Sequence, residues 1–283
     1  MSRLIQGLHA LKTPYRGLVV DLWGVMHNGK ALFKEAVAAL RAAKAAGQSV
    51  TLLSNAPRRR EAALENLVGR LGLSPDLFDD LITSGEIAWQ AINGGAVADW
   101  GAEAFFFGAG KDLEMKHGLD GVRFVDDVSH ASWILNVGPE SGHTDVGPFQ
   151  GFIDAALAKN LPMICANPDL IVQRGNSLEI CAGAVAKAYA EAGGQVTWFG
   201  KPYGQVYEAV FASSGLKASE LLAIGDSFKT DVLGAQRQGM DVLYVNSGIH
   251  GAEVGRPIDM DKIAELAAGV GATPTYVADA LAP

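Results

Sequence analysis

The sequence predicts an α/β protein built on a parallel sheet, with a second, smaller α/β domain inserted into the first. Two observations carry this expectation. Short apolar, β-branched runs alternate with alanine-rich helical patterns along most of the chain. Between about residues 84 and 173 the texture changes, and that stretch has strand and helix candidates of its own. A third observation concerns function: the strand candidates outside that stretch end in polar or charged residues.

The elements follow in order. LVVDLW is the first strand candidate, and FKEAVAALRAAKAAG follows as an amphipathic helix closed by Gly47. QSVTLLSN is a second strand that ends in Ser54 and Asn55. PRRREAALENLVGRLG reads as another helix stopped by glycine. Later come VTWFGKP, the helix YGQVYEAVFASSG, the strand ELLAIGDS, the helix TDVLGAQRQG and the strand DVLYVNSG. Pro57 and Pro202 stand just after strand ends, where proline can open a helix. Inside the changed stretch, AFFFG, VRFV, SWILNVG and PMICAN are strand candidates, GPFQGFIDAALAKN a helix, and SGHTDVG a polar internal loop. These readings divide the chain into 1–83 plus 174–283 and an inserted 84–173.

Composition bounds the function. The chain has 283 residues, 49% hydrophobic, which suffices for a sizeable core in two domains. Its net charge of −8 argues against nucleic-acid and anionic-membrane partners. A local site can still bind a small anion against that overall charge. Cys165 and Cys181 lie outside any CxxC motif and are expected to be reduced, buried thiols. The start MSRLIQGLHALKTPYRG lacks the pattern of a secretory signal, and no apolar run has membrane-spanning length. A cytoplasmic protein is the expectation.

In open parallel sheets, ligands bind beyond the carboxyl ends of strands near the topological switch point. Four such ends here carry Asp21, Ser54 with Asn55, Lys201, and Asp226 followed by Asp231. Taken singly, each has a structural alternative: Ser54, Ser227 and Thr230 suit helix caps, and a lone loop lysine is usually solvated. Together, a carboxylate nucleophile, a hydroxyl, an ammonium and two more carboxylates suit phosphoryl transfer. Mg2+ needs oxygen ligands, which Asp21 and Asp226 could supply. The ion and Lys201 would offset the phosphoryl charge. Asp21 would attack phosphorus and form an aspartyl-phosphate that water hydrolyses.

DLWGV, LLSN, GKP and GDSFKTD resemble the four motifs of the haloacid dehalogenase (HAD) superfamily. The chain is most similar to the class IIA branch, the NagD-like and p-nitrophenylphosphatase-like enzymes. ANPD at 166–169 and AGA at 182–184 add to the likeness, which runs from about residue 15 to 250. The resemblance implies a Rossmann-like core with a C2-type cap inserted between the second and third motifs. It implies Asp21 as nucleophile and metal ligand, and Ser54 as phosphoryl contact with Asn55 beside it. Lys201 would pair with phosphate and nucleophile, Asp226 would bind the metal, and Asp231 would complete the acidic cluster directly or through water. Asn167, Pro168 and Asp169 would lie at the cap–core boundary, near substrate.

One position departs from the pattern. In phosphatases of this family the residue two after the nucleophile is usually a second Asp, which protonates the leaving group and then activates water. Here it is Trp23. Its backbone carbonyl can still bind the metal, but its side chain cannot act as acid or base. Trp23 could pack under the cap or stack on substrate, and His27 could stand in as proton donor or be an ordinary loop histidine. The reading is an Mg2+-dependent phosphatase acting on a small phosphorylated metabolite, with a homodimer left open. The alternatives are cleavage of a phosphonate or carbon–halogen bond, or a non-catalytic phosphate-binding protein. Phosphonate cleavage would look to Lys111, Lys116 or Lys159 for a Schiff base.

Other residues carry weaker expectations. Trp89, Trp100, Trp133 and Trp198 read as core. Arg58, Arg59 and Arg60 read as a solvated helix start, or alternatively as a steering patch for anions. His143, Asp145 and Glu179 could face substrate, though nothing in their spacing requires it.

Overall fold

The computed structural model of the protein describes residues 2–108, 110–174 and 177–283. The chain forms two compact units. One comprises Met1–Ser54, Leu64–Ile82 and Lys201–Pro283, the other Asn55–Ala63 and Thr83–Gly200.

In chain order the first segment supplies β1 (Arg3–Leu4), β2 (Gly17–Val20), α1 (Lys34–Ala45) and β3 (Ser49–Ser54). All four residues of β2 are buried, as expected for a parallel strand covered on both faces. Helix α1 buries Ala36, Ala39, Leu40 and Ala43, the spacing of one helical face. It ends where Gly47 takes φ 76°, the left-handed conformation that closes helices at low cost to glycine. Next come α2 (Arg60–Leu64), which continues as π turns over Glu65–Arg70, and β4 (Asp80–Thr83).

The second unit then supplies α3 (Ser84–Ala91), β5 (Glu103–Gly108), β6 (Arg123–Val125), β7 (Trp133–Gly138), α4 (Gln150–Ala158) and β8 (Met163–Cys165). The antiparallel hairpin β9 (Ile171–Arg174) and β10 (Ser177–Ile180), α5 (Ala182–Glu191) and β11 (Val196–Trp198) complete it. Its main sheet is parallel, in the order β11-β8-β7-β5-β6. Strand β7 is buried throughout, and its alternation sends Trp133, Leu135 and Val137 into one apolar cluster and Ile134 into another. Trp133 is fully buried, while Trp89, Trp100 and Trp198 pack against these clusters half-buried.

The rest of the chain gives α6 (Gly204–Ser214), β12 (Leu221–Gly225), α7 (Leu233–Arg237), β13 (Asp241–Val245), α8 (Gly251–Val254), α9 (Met260–Val270) and β14 (Tyr276–Ala278). The first unit's sheet has the order β1-β14-β13-β12-β2-β3-β4. From β2 the chain steps outward through β3 to β4, and from β12 it steps the other way through β13 to β14. The switch point therefore lies between β2 and β12, where a ligand crevice opens in such sheets.

The domain boundary differs from expectation. The sequence placed the return to the first unit at residue 174, but the crossing falls between Gly200 and Lys201. Strand β11 pairs with β8, Val196 opposite Met163, so its hydrogen bonds extend the second unit's sheet. Helix α5 buries Val185, Ala186 and Tyr189 in the cluster containing Ile134 and Met163. Residues 55–63 also belong to the second unit, because the backbone of Ala56 and Arg58 is tied to Gly85 and Thr83.

Candidate active site

Asp21 is the first residue beyond β2, and its N–H still donates to Ile224 O of β12 at 2.9 Å. Asp226 is the first residue beyond β12, so the two carboxylates stand at the carboxyl ends of the strands flanking the switch point. Asp231 reaches the same place from a π-helical turn, Phe228–Val232, an irregularity common at functional sites. Asp231 and Val232 both donate to Ser227 O, and Asp231 Oδ2 accepts the Ser227 N–H at 3.1 Å. Gly225 permits this fold-back, since a Cβ there would lie 2.1 Å from Asp231 Cγ.

Lys201, the first residue of the returning chain, is buried among them. Its ammonium donates to Asp21 Oδ1 at 2.5 Å, Asp231 Oδ1 at 2.7 Å and Leu53 O at 3.1 Å. Burial alone would lower the Lys201 pKa, but the charges of Asp21 and Asp231 outweigh it and hold the group above the ordinary lysine range. Among the described residues, no ammonium pairs directly with Asp226, whose Oδ2 accepts the Ile249 N–H. Burial, then the charges of Asp21 and Asp231, push its carboxyl well above the usual range, despite the Ile249 N–H and Lys201.

Each of Asp21, Asp226 and Asp231 offers an oxygen within 4.8 Å of the others. Among the described residues, three buried carboxylates thus face one ammonium, and the cluster is short of positive charge. An all-oxygen donor set short of positive charge fits a hard divalent cation such as Mg2+. Ser54, at the end of β3, is buried and adjoins Leu53, whose carbonyl holds Lys201.

The Trp23 indole lies within its own loop. It meets the His27 ring edge-on, centroids 5.4 Å apart, and a Cβ on Gly29 would fall 2.4 Å from Trp23 Cη2. Gly29 has φ 82°, so glycine is required there twice over. Gly29 N–H donates to His27 Nδ1 at 3.0 Å, which places the neutral imidazole's proton on Nε2. Burial first, and then Arg70, push His27 down to about 4, so it carries no imidazolium proton at neutral pH.

In the second unit, Asn55 donates through Nδ2 to Asp169 Oδ1 at 2.8 Å, and the Asp169 N–H donates to Asn167 Oδ1 at 2.9 Å. These three expected substrate contacts are therefore hydrogen-bonded in a chain. Gly183 lets α5 approach the same loop, for a Cβ would come within 2.3 Å of Pro168 O.

One weaker expectation is corrected, and other residues singled out in the sequence have local contacts. Arg58 and Arg59 are not a solvated face: Arg58 pairs with buried Asp112 at 3.2 Å, and Arg59 pairs with Glu86 at 2.7 Å while stacking 3.5 Å over Trp89. His143 packs on Phe149, Asp145 caps the Gly147 N–H, and Glu179 sits in β10 opposite Val172. Lys116 lies over Phe106 and Phe124, and Lys159 donates to Ser129 O and Ala131 O, so both have local partners.

Tyr207 carries no motif in the sequence. It is buried in α6 and, with Asp21, Lys201, Asp231 and Leu53, lines a water-sized cavity. Burial raises its hydroxyl pKa, and the nearby Lys201 acts to lower it. Its place in an apolar helical pattern concealed it.

The sequence matches the description haloacid dehalogenase-like hydrolase over residues 18–120 and a second, HAD-hydrolase-like description over 198–283. A haloacid dehalogenase-like hydrolase from Brucella suis 1330 superposes with a TM-score of 0.83 at 32% identity, covering 98% of this chain and 100% of its own. The 5'-nucleotidase YutF of Bacillus subtilis is 24% identical over 83% of this chain and 88% of its own length. NagD of E. coli shares the fold, with a TM-score of 0.66 at 18% identity over 95% of this chain and 97% of its own.

Proposed function

This chain belongs to the haloacid dehalogenase-like hydrolases, in their NagD-like class IIA branch, and from that premise we propose that it hydrolyses a small phosphorylated metabolite through Asp21. Within the family it is a phosphoric monoester hydrolase. The observation that carries the reading is the buried Asp21–Lys201–Asp231 network with Asp226 beside it at the switch point.

A carboxylate oxygen of Asp21 attacks phosphorus, the ester oxygen leaves with its electron pair, and an aspartyl-phosphate remains. Water then attacks that phosphorus and restores the Asp21 carboxylate. Lys201 holds Asp21 in place and supplies positive charge where the phosphoryl oxygens gather negative charge. Ser54 is assigned a hydrogen bond to the phosphoryl group. Asp21, Asp226 and Asp231 would hold Mg2+, with the Trp23 carbonyl, a role indifferent to that residue's side chain. When bound, the ion offsets charge on the transferring group. For Asn55, Asn167 and Asp169, the assignment to substrate rests on the family resemblance.

The leaving oxygen lacks the usual acid. Trp23 packs on Gly29 and His27, and an indole has no proton to give at neutral pH. Substrates whose leaving groups need little protonation are therefore favoured. The test is p-nitrophenyl phosphate hydrolysis with and without Mg2+, for wild type beside Asp21→Asn. Mg2+-dependent turnover lost in Asp21→Asn is expected. Equal rates in the two proteins would remove Asp21 from the reaction.

A further inference from the structure

Asp226 is held by backbone from both neighbouring strands' loops. Its Oδ2 accepts the Ile249 N–H at 2.8 Å, from the loop after β13. In that loop a Cβ on Gly248 would fall 1.6 Å from Asp226 Oδ2 and 2.3 Å from its Cγ. From the loop after β2, a Cβ on Gly24 would fall 2.3 Å from the same Oδ2 and 3.0 Å from Gly248 Cα. Ser247 Oγ donates to Gly24 O at 2.7 Å and ties the loops together. The second loop is itself anchored, since Asn246 N–H donates to Ala278 O at 2.9 Å and its side-chain amide to Gly255 O at 2.9 Å.

These contacts exceed what packing a carboxylate requires. A buried acid beside two others gains from rotating towards Lys201, yet Oδ2 is committed to the Ile249 N–H between two glycines that leave no room for a side chain. We propose that Gly24, Gly248 and the Ile249 N–H clamp Asp226 with Oδ2 turned to the protein and Oδ1 presented to the cation, making these backbone positions determinants of Mg2+ affinity. The proposal rests on the reading of the acidic cluster as an Mg2+ site. Gly24, Gly248 and Ser247 act as positioning residues, through Asp226. Groups of this kind behind a metal ligand typically change affinity about 10–100-fold when altered.

Gly248 is the sharper probe. Gly24 has φ 85°, which strains any side chain, whereas Gly248 carries no left-handed φ, and the atoms nearest to a Cβ there belong to Asp226, so Gly248→Ala tests that contact without backbone strain. The experiment is calorimetric titration of Mg2+ alone into the metal-stripped full-length protein, for wild type, Gly248→Ala and Ser247→Ala, with metal-free melting temperatures beside it. The expected result is Mg2+ binding weakened about 10–100-fold in Gly248→Ala, with a lowered metal-free melting temperature because a Cβ there must displace the carboxylate, and more mildly weakened binding in Ser247→Ala at little cost in metal-free melting temperature. Wild-type affinity in folded Gly248→Ala would overturn the clamp while leaving the metal site intact. If Gly248→Ala does not fold, Ser247→Ala decides, and unchanged affinity there overturns the clamp. No Mg2+ binding by the wild type would overturn the metal reading and the clamp with it.

Discussion

Lys201 donates to Asp21 across 2.5 Å, and both groups are buried although 180 positions separate them in the chain. The same ammonium also serves Asp231 and Leu53 O, so the donors a lysine has are all placed. Removing one partner of such a pair leaves uncompensated buried charge.

Lys201→Met should therefore damage stability as well as activity. The expected cost is about 3–5 kcal/mol, by urea denaturation in EDTA. Activity should fall about 10²-fold or more, since the charge facing the phosphoryl oxygens goes too. A variant of wild-type stability would mean that Asp21 and Asp231 do not depend on Lys201.

Mg2+ should raise the melting temperature of the wild type. Three carboxylates against one ammonium favour a cation that binds the folded chain only. At 100 times the dissociation constant the gain is about 2.7 kcal/mol. Asp226→Asn should flatten this response to Mg2+. A wild-type melting curve indifferent to Mg2+ would contradict the metal assignment.

Trp23→Asp should change which esters are cleaved. Restoring an acid at position 23 helps most where the leaving oxygen is basic. The ratio of alkyl to p-nitrophenyl phosphate turnover should rise, by up to about 10²–10⁴-fold. Log kcat/KM plotted against leaving-group pKa reads this directly, as a shallower slope in the variant. An unchanged slope would show that another group already supplies the proton.

Glu86 should matter for acid stability. Burial raises its pKa, but hydrogen bonds from Arg59 and the Arg60 N–H, with the charge of Arg59, outweigh it and hold the carboxyl below its usual range. A folded pKa below the unfolded one stabilises the protein above the unfolded value of about 4.3. That contribution disappears as pH falls through the folded pKa. Glu86→Gln should cost about 1–3 kcal/mol at pH 7. Its difference from wild type, by urea denaturation, should start to shrink only near about pH 4 and go on shrinking below it; a difference constant with pH would assign the loss to packing.

Much of the first unit was legible because its signals are local. The apolar run before Asp21, the i, i+3, i+4 spacing of Ala36, Ala39 and Leu40, and Gly47 at the helix end act over a few residues. So does the placement of polar residues at or just beyond strand ends, which marked Asp21, Ser54, Lys201 and Asp226. The family motifs added roles to those positions. They also marked Trp23 as the exception, though not the direction its indole takes.

What the sequence by itself determined was the α/β class, the order of the site residues along the chain, and the absence of an acid side chain at position 23. The tertiary structure alone decided that β11 joins β8 rather than the first sheet, since a parallel strand's partner is chosen by hydrogen bonds to distant backbone. It decided that Arg59 turns inward to Glu86 and Trp89, because burial and a facing charge are not encoded in a run of arginines. It also decided that Gly24 and Gly248, which nothing in the sequence singled out, close on Asp226. The physical reason is common to all three: periodicity fixes which face of an element is apolar, whereas which groups meet depends on contacts made only once the chain has folded.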